Sequence, residues 1–503
     1  MTAKKGFLNM TIGMISLLTT IILGVFIPRI VISTYGSEAN GLIASVTQVI
    51  SYLSLLEAGV GAASLQALFQ PLGSNNKARV NEILSATSVY YKKTGLYYFL
   101  GVILISIIYP LAVQSEFSRI TISSVILLSG IGGAVNYYFQ GKYRILLAAE
   151  GKNYIEASVV AVSTLLNSVL RIILMLNDCN LVLVQAVFFA FTIIQIIVYQ
   201  IYMRRNYKWL DVKAAPDFQA ISQKNSVLVH QFSYLIFANT DIILLTLFTN
   251  LKVVSVYAMY SLIFNMVGNL TFIFRDSFKF ALGQKYSNDY VKFLKMFNLF
   301  ESCYISIVFS SILLTLLLIL PFMELYTSGI SDVNYIDPLL PLLFASVKLL
   351  FNSRQSSDVL IDIVGHFQKT QTRSILETAI NFVCSVILVV PLGVYGVLLG
   401  TVIALSYRFI DLTWYTNRKV LDRSPWMTYK KWLIQFVLLI LVYLTFKSFQ
   451  LPVDSFIDFI MAAVMLSIVI IPLFLAVGLW LGKQDLDMLR DLLQRQKRKG
   501  EAL

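Results

Sequence analysis

Apolar runs of eighteen residues or more recur along the whole chain, and no soluble fold accommodates that pattern. Each run is long enough to cross ~30 Å of hydrocarbon as a helix rising ~1.5 Å per residue. Composition points the same way: of 503 residues, 57% are apolar and only 13% charged, with a mean hydropathy of +0.74. A soluble globule is excluded on those values. The short alternating strands of an outer-membrane barrel are missing. The expected fold is therefore all-α, a polytopic membrane protein with about fourteen transmembrane helices.

The spans fall at about 7–33, 42–68, 83–112, 120–147, 155–176 and 181–203, then 226–250, 254–280 and 296–320. A tenth starts near Leu342 inside the stretch 338–373, and four more fall at 374–391, 394–416, 432–449 and 456–480. The longest polar segment, 204–225, reads as a cytoplasmic linker between a six-helix lobe at 1–203 and a second at 226–416. Residues 417–482 hold two further helices, and 483–503 form a basic tail. In that tail Leu486, Leu489 and Leu493 stack along one side between Arg490, Arg495 and 497–499, a pattern suited to the inner leaflet. Spans one and seven start ~219 residues apart, a weak internal repeat, and repeated halves flanking a cavity are a common transporter plan.

The net charge is +13, and its placement argues for topology and against nucleic acid. Of the 40 Lys and Arg, 32 fall in loops and adjoining span ends of one side, 3 in those of the other (Arg119, Lys252, Lys447) and 5 deeper inside spans. That asymmetry marks the richer side, with both termini, as cytoplasmic. The basic loops suit anionic lipid head groups. Cys179, Cys303 and Cys384 are scattered with no CxxC, so metal or redox use is not expected, nor is any cofactor. Lys4 and Lys5 precede a long apolar run without an A-x-A site, which reads as a retained first span.

The tenth span is the odd one. At ~100° per residue, Lys348, Asn352, Gln355, Asp362 and His366 fall on one face with Asp358 at its edge, while Arg354 can pair with Asp358 one turn on. An ion at mid-bilayer costs roughly 2.5–3.5 kcal/mol on insertion scales, so such a face must look at protein or at water. The expectation is a water-filled cavity beside this span, with Lys348 and Arg354 as fixed cations. Other charges lie within spans: Arg29 after Pro28, Glu57, Arg171, Asp241, and Arg408 with Asp411. Arg29 and Arg171 can equally snorkel outward, and Arg408–Asp411 and Arg354–Asp358 can be structural staples. Glu57 and Asp241 have no basic residue within a turn, so each needs a partner across the cavity or carries a proton. His230 and His366 suit the membrane interface. Gln48, Tyr52 and Asn265 can exchange hydrogen bonds with sugar hydroxyls.

The pattern suits an anionic cargo. Arg and Lys in a wet lumen attract a phosphate or acidic sugar, and Arg bonds two oxygens at once. No GxxxxGK[ST], HExxH or GxSxG occurs, and the one D-x-D, Asp485 with Asp487, sits on the tail. The protein is read as a transporter, not an enzyme.

Three stretches resemble bacterial oligosaccharide repeat-unit flippases of the Wzx type, in the multidrug/oligosaccharidyl-lipid/polysaccharide exporter superfamily: TYGSEANGLIASVTQVISYLSLLEAGVGAASLQALFQPL (34–72), GHFQKTQTRSILETAINF (365–382) and PLGVYGVLLGTVIALSYR (391–408). The resemblance implies two six-helix lobes around a central cavity. It also implies alternating access that moves an undecaprenyl-diphosphate-linked oligosaccharide across the bacterial cytoplasmic membrane for capsule, exopolysaccharide or teichoic acid. It places the glycan polymerase and glycosyltransferases of the same pathway among the partners. On it, Arg354, Lys348, Arg29, Gln355 and Asn352 are the substrate-binding set, and Asp241, Glu57, Asp358 and Asp362 the coupling or gating candidates. The alternative is a cation-coupled multidrug exporter, weakened because 7–33 holds no carboxylate. The peptidoglycan precursor is disfavoured as cargo because the first span has only Arg29. A membrane glycan polymerase fits less well, since the longest outer loop, 321–337, is short.

Overall fold

The computed structural model describes residues 2–57, 59–221, 236–237, 239–447 and 453–481. The described residues are almost wholly helical and contain no strand. Twelve helices among them are long and apolar enough to cross a membrane, so the chain is a multi-pass all-α membrane protein. His230 and the tail pattern at 484–499 lie outside the described residues.

The chain packs into two compact units. The first comprises Met1–Ala258 with Ile330–Val333, and the second comprises Met259–Gly329 with Asn334–Leu503. The described end of the seventh span, expected in the second lobe, thus groups with the first unit.

The first unit holds α1 (Thr2–Tyr35), α2 (Ser37–Tyr52), α3 (Val60–Gly73), α4 (Lys77–Ala112), α5 (Arg119–Ala149), α6 (Asn153–Leu176), α7 (Leu181–Asn206) and α8 (Asn239–Phe248). Short polar side chains start several of them. The Asn76 side chain accepts from Arg79 N at 3.0 Å before α4, and Ser118 accepts from Thr121 N at 3.1 Å before α5. Packing is densest between α4 and α5, and the core divides into an inner cluster around Leu84, Leu146 and Tyr199 and an outer one around Leu42, Ile126 and Val184.

The second span differs from its expected form. It is α2 and α3 in series, joined by a 3-10 turn at Leu53–Leu56 and by Glu57. Gly59, with φ +86, occupies the left-handed region that a side chain resists, and this ends the first segment at mid-span. A mid-span break is tolerated in a membrane where neighbouring protein re-satisfies the freed backbone.

In the second unit, α9 (Leu251–Asn288) continues from the first and leads to α10 (Tyr290–Tyr326), α11 (Leu340–Ser353), α12 (Gln355–Val364), α13 (Phe367–Leu392), α14 (Val394–Lys419), α15 (Trp426–Lys447) and α16 (Phe456–Leu481). α10 is the core helix: Phe297, Phe300, Phe309 and Leu313 are buried, with α15 and α16 packed on it. The tenth span is again not one helix. It breaks at Arg354, where Ser353 Oγ accepts from Trp432 Nε1 at 2.5 Å and the backbone makes an i+3 bond from Ser357 N to Arg354 O at 2.9 Å. Gly365, with φ +69, then terminates α12, so 367–373 belongs to the next helix, contrary to the stretch read as one.

Candidate functional site

Polar and ionic pairs descend the second unit between α9 and the α11–α12 pair. Lys348, Gln355 and Asp362 are seven residues apart on one face, ~10 Å per step. Lys348 Nζ donates to Asn265 Oδ1 at 2.5 Å. Arg275 Nη1 donates to Gln355 Oε1. Lys279 donates to Asp362. Asn265, Asp276 and Asp362 are exposed, and Lys348, Arg275 and Lys279 are half-buried. Lys348 lies ~12 Å along from the outer start of α11 and Asp362 ~33 Å, so the seam runs from the outer half to the inner boundary of a ~30 Å core. The exposed acids, Asp362 and the Asp276 that pairs with Arg275, lie near the inner boundary, and an ionic side chain there can meet water, because lipid offers it no hydrogen bond.

Arg354 departs from the expectation of a wetted cation. It is 9% exposed, and its guanidinium donates from Nη1 to Glu377 on α13, reaches Asp358 Oδ2 at 3.6 Å and lies over the Phe351 ring at 4.8 Å. Arg408 also approaches Glu377, with Nε 3.3 Å from Oε2, and reaches Asp411 only at 3.9 Å. Asp411 instead accepts from Arg373. Glu377 therefore joins two buried arginines and ties α12, α13 and α14 together. The tenth-span face overlooked this because its partner lies on the next helix.

The remaining expected residues divide. Asn352 is buried and accepts from Thr271 Oγ1 at 3.1 Å while donating to Lys348 O at 2.9 Å. Gln355 is buried and holds Arg275. Both therefore cross-link helices. Arg29 is half-buried on α1. Arg171 is buried, its guanidinium 5.8 Å from the Phe188 ring, which replaces the outward snorkel. Asp241 is buried and accepts from Tyr257 Oη at 2.9 Å. His366 caps the gap between α12 and α13 and meets Tyr415 Oη at 3.1 Å. Burial first, and then the Lys369 ammonium, hold its imidazole below the ordinary histidine value.

Glu57 sits at the break between α2 and α3, on the wall of a cavity of about 350 Å³ in the first unit. Tyr91 of α4 donates its hydroxyl to Glu57, and Arg144 of α5 pairs with Glu156 of α6 across the same cavity. Gly141 makes this possible: a Cβ there would stand 2.2 Å from the Tyr91 ring. Among the charged members that the sequence reading did not single out are Arg275, Glu377 and Arg144. All three lie toward the cytoplasmic ends of their spans, where charge is unremarkable in a one-dimensional reading.

No protein-family model matches the chain, and no curated protein matches it. Solved structures do. The chain is similar to the lipid II flippase MurJ in an inward closed conformation, at 15% identity and a TM-score of 0.71, over 96% of this chain and 100% of that one. It is similar to an inward-facing multidrug resistance MATE family transporter of the MOP superfamily, at 17% identity and a TM-score of 0.63, over 80% and 94%. The MATE multidrug transporter DinF-BH in complex with R6G aligns at 15% identity and a TM-score of 0.54, over 81% and 94%. At such identities the likeness establishes architecture: the chain has the fold of these transporters.

Proposed function

We propose that the protein is a flippase. It translocates undecaprenyl-diphosphate-linked oligosaccharide repeat units across the bacterial cytoplasmic membrane by alternating access, with both termini cytoplasmic, for capsule, exopolysaccharide or teichoic acid export. The observation that carries this reading is the ionic seam of α9 and α11–α12, with Lys348 and Arg275 half-buried along it. A bilayer-embedded protein retains partly exposed cations along such a seam when something anionic passes them. Lys348 supplies a point charge for a phosphate, and Arg275 supplies a fork for two oxygens. Arg29 and the exposed Asn265 extend the set. Arg354 and Asn352 act indirectly, by holding α12 and α11 in place. The fold shared with MurJ supports a lipid-linked cargo.

A cation-coupled multidrug exporter is the second reading, favoured by the carboxylate of Glu57 in its cavity and by the fold shared with MATE transporters. In either case Glu57, bonded to Tyr91 at a helix break, is the coupling candidate in the first unit. Asp241, Asp358 and Asp362 are engaged by Tyr257, Arg354 and Lys279 and must exchange those partners to take part. Deleting the protein and extracting the lipids separates the readings. A flippase loss strands complete single repeat units on their carrier in the inner leaflet. Normal surface glycan with raised drug susceptibility would sink the flippase reading.

A further inference from the structure

A second cavity of the first unit, about 320 Å³, lies between α5, α6 and α7 with Tyr98 of α4 beside it. Its depth follows from the helices that build it. Ser129 is ten residues into α5 and Ser163 ten residues into α6, which run in opposite directions, so each lies ~15 Å from an opposite face. The cavity is at the bilayer midplane.

Apart from the Tyr98 phenol, its lining carries no ionisable acid or base. Ser129, Asn136, Ser163, Thr164, Asn167 and Gln195 bring hydroxyls and amides to the space. Two aromatic faces, Phe188 and Phe191, join them. Asn167 is 7% exposed, and its Oδ1 has no hydrogen-bond partner. An unmet amide oxygen in a buried setting costs roughly 1–3 kcal/mol, so the space favours an occupant that donates a hydrogen bond. Arg171 lies one turn beyond Asn167 on α6, its guanidinium 5.8 Å from the Phe188 ring. Asn136 also borders the cavity that contains Glu57 and Arg144, so the uncharged chamber adjoins a charged one.

Amides and hydroxyls that both donate and accept, set against aromatic faces in an uncharged pocket, suit a neutral polyol ring. An ionised ligand would find no counter-charge among the lining side chains, and a wholly apolar one would leave the amides dry. We infer that this cavity is a subsite for a neutral sugar residue of the transported head group, with Asn167 and Gln195 bonding ring hydroxyls and Phe188 or Phe191 packing on the ring face. The inference rests on the flippase reading and deepens it: it assigns a site for uncharged saccharide within the first unit.

Saturation-transfer NMR on the full-length protein in nanodiscs tests it, with methyl glucoside, methyl N-acetylglucosaminide and methyl glucuronide as probes. One or both neutral glycosides should bind, and the glucuronide at least roughly tenfold more weakly. Asn167→Leu, which removes the unpaired amide at similar volume and leaves a more apolar spanning helix, should fold and lose neutral-glycoside binding by a similar factor. Lys292→Ala, at an exposed position in the other unit, should leave it unchanged. Absence of saturation transfer to both neutral glycosides, or equal transfer in Asn167→Leu, overturns the subsite, as does equal binding of the glucuronide. These outcomes are distinct from failure of the flippase reading, which is decided by whether lipid-linked repeat units accumulate in the deletion strain.

Discussion

Glu377 offers the sharpest test of how the second unit is held together. It is 5% exposed and shared by Arg354 and Arg408, themselves 9% and 5% exposed. At the 3.3 Å Arg408 Nε–Glu377 separation, Coulomb's law with an effective dielectric near 20 gives roughly 5 kcal/mol of gross attraction per pair. Desolvation offsets most of that while all three ions are present. Removing the carboxylate alone leaves two buried cations, and the outlying acids reach them only at 3.6 Å and 3.9 Å. Breaking a buried pair in this way costs about 3–5 kcal/mol. Glu377→Leu should therefore destabilise the protein by about that amount, read as a shift in SDS-induced unfolding followed by far-UV circular dichroism. Replacing all three ions, as Arg354→Leu, Glu377→Leu and Arg408→Leu together, should recover most of the loss, because apolar side chains of similar volume match a buried ion cluster. A Glu377→Leu single variant within about 0.5 kcal/mol of the parent would refute the buried-triad argument.

Other outcomes follow from the same geometry. Lys348→Ala and Arg275→Ala should each lower surface glycan, measured by lectin or antibody, at unchanged protein level, with Lys348→Ala weakening charged glycans more than neutral ones. Gly141→Ala places a methyl 2.2 Å from the Tyr91 ring, displaces the phenol from Glu57 and should reduce transport as strongly as Glu57→Gln. Transport at the parental rate would show that the Glu57–Tyr91 contact is dispensable. The His366 imidazole binds protons less readily in the fold than in the unfolded chain, so stability should fall as pH drops through the ordinary histidine value. Unfolding compared between about pH 7 and 5.5 should show a smaller decline in His366→Gln than in the parent.

Much of the architecture is legible in one dimension, because the bilayer imposes it. A helix must be apolar for ~20 residues to cross, so span existence and approximate limits follow from local composition. The tenth-span stripe at Lys348, Gln355 and Asp362 was likewise visible, since a 3.6-residue period projects directly onto one face. Partners were not. Arg354 faces Glu377, Gln355 faces Arg275 and Glu57 faces Tyr91, and none of these pairs lies within a turn of sequence. The breaks at Gly59 and Arg354 were missed for a related reason: a helix interrupted at mid-membrane keeps the apolar count of an intact one.

What the sequence by itself determined was that this chain crosses a membrane many times as helices and that one span is too polar to face lipid. Hydropathy and helical period are properties of neighbouring residues, and the solvent reads them locally. Only the tertiary structure decided which intramembrane charges are buried against a partner and which stay partly exposed. That choice depends on the distances between side chains on different helices, and packing alone sets those distances.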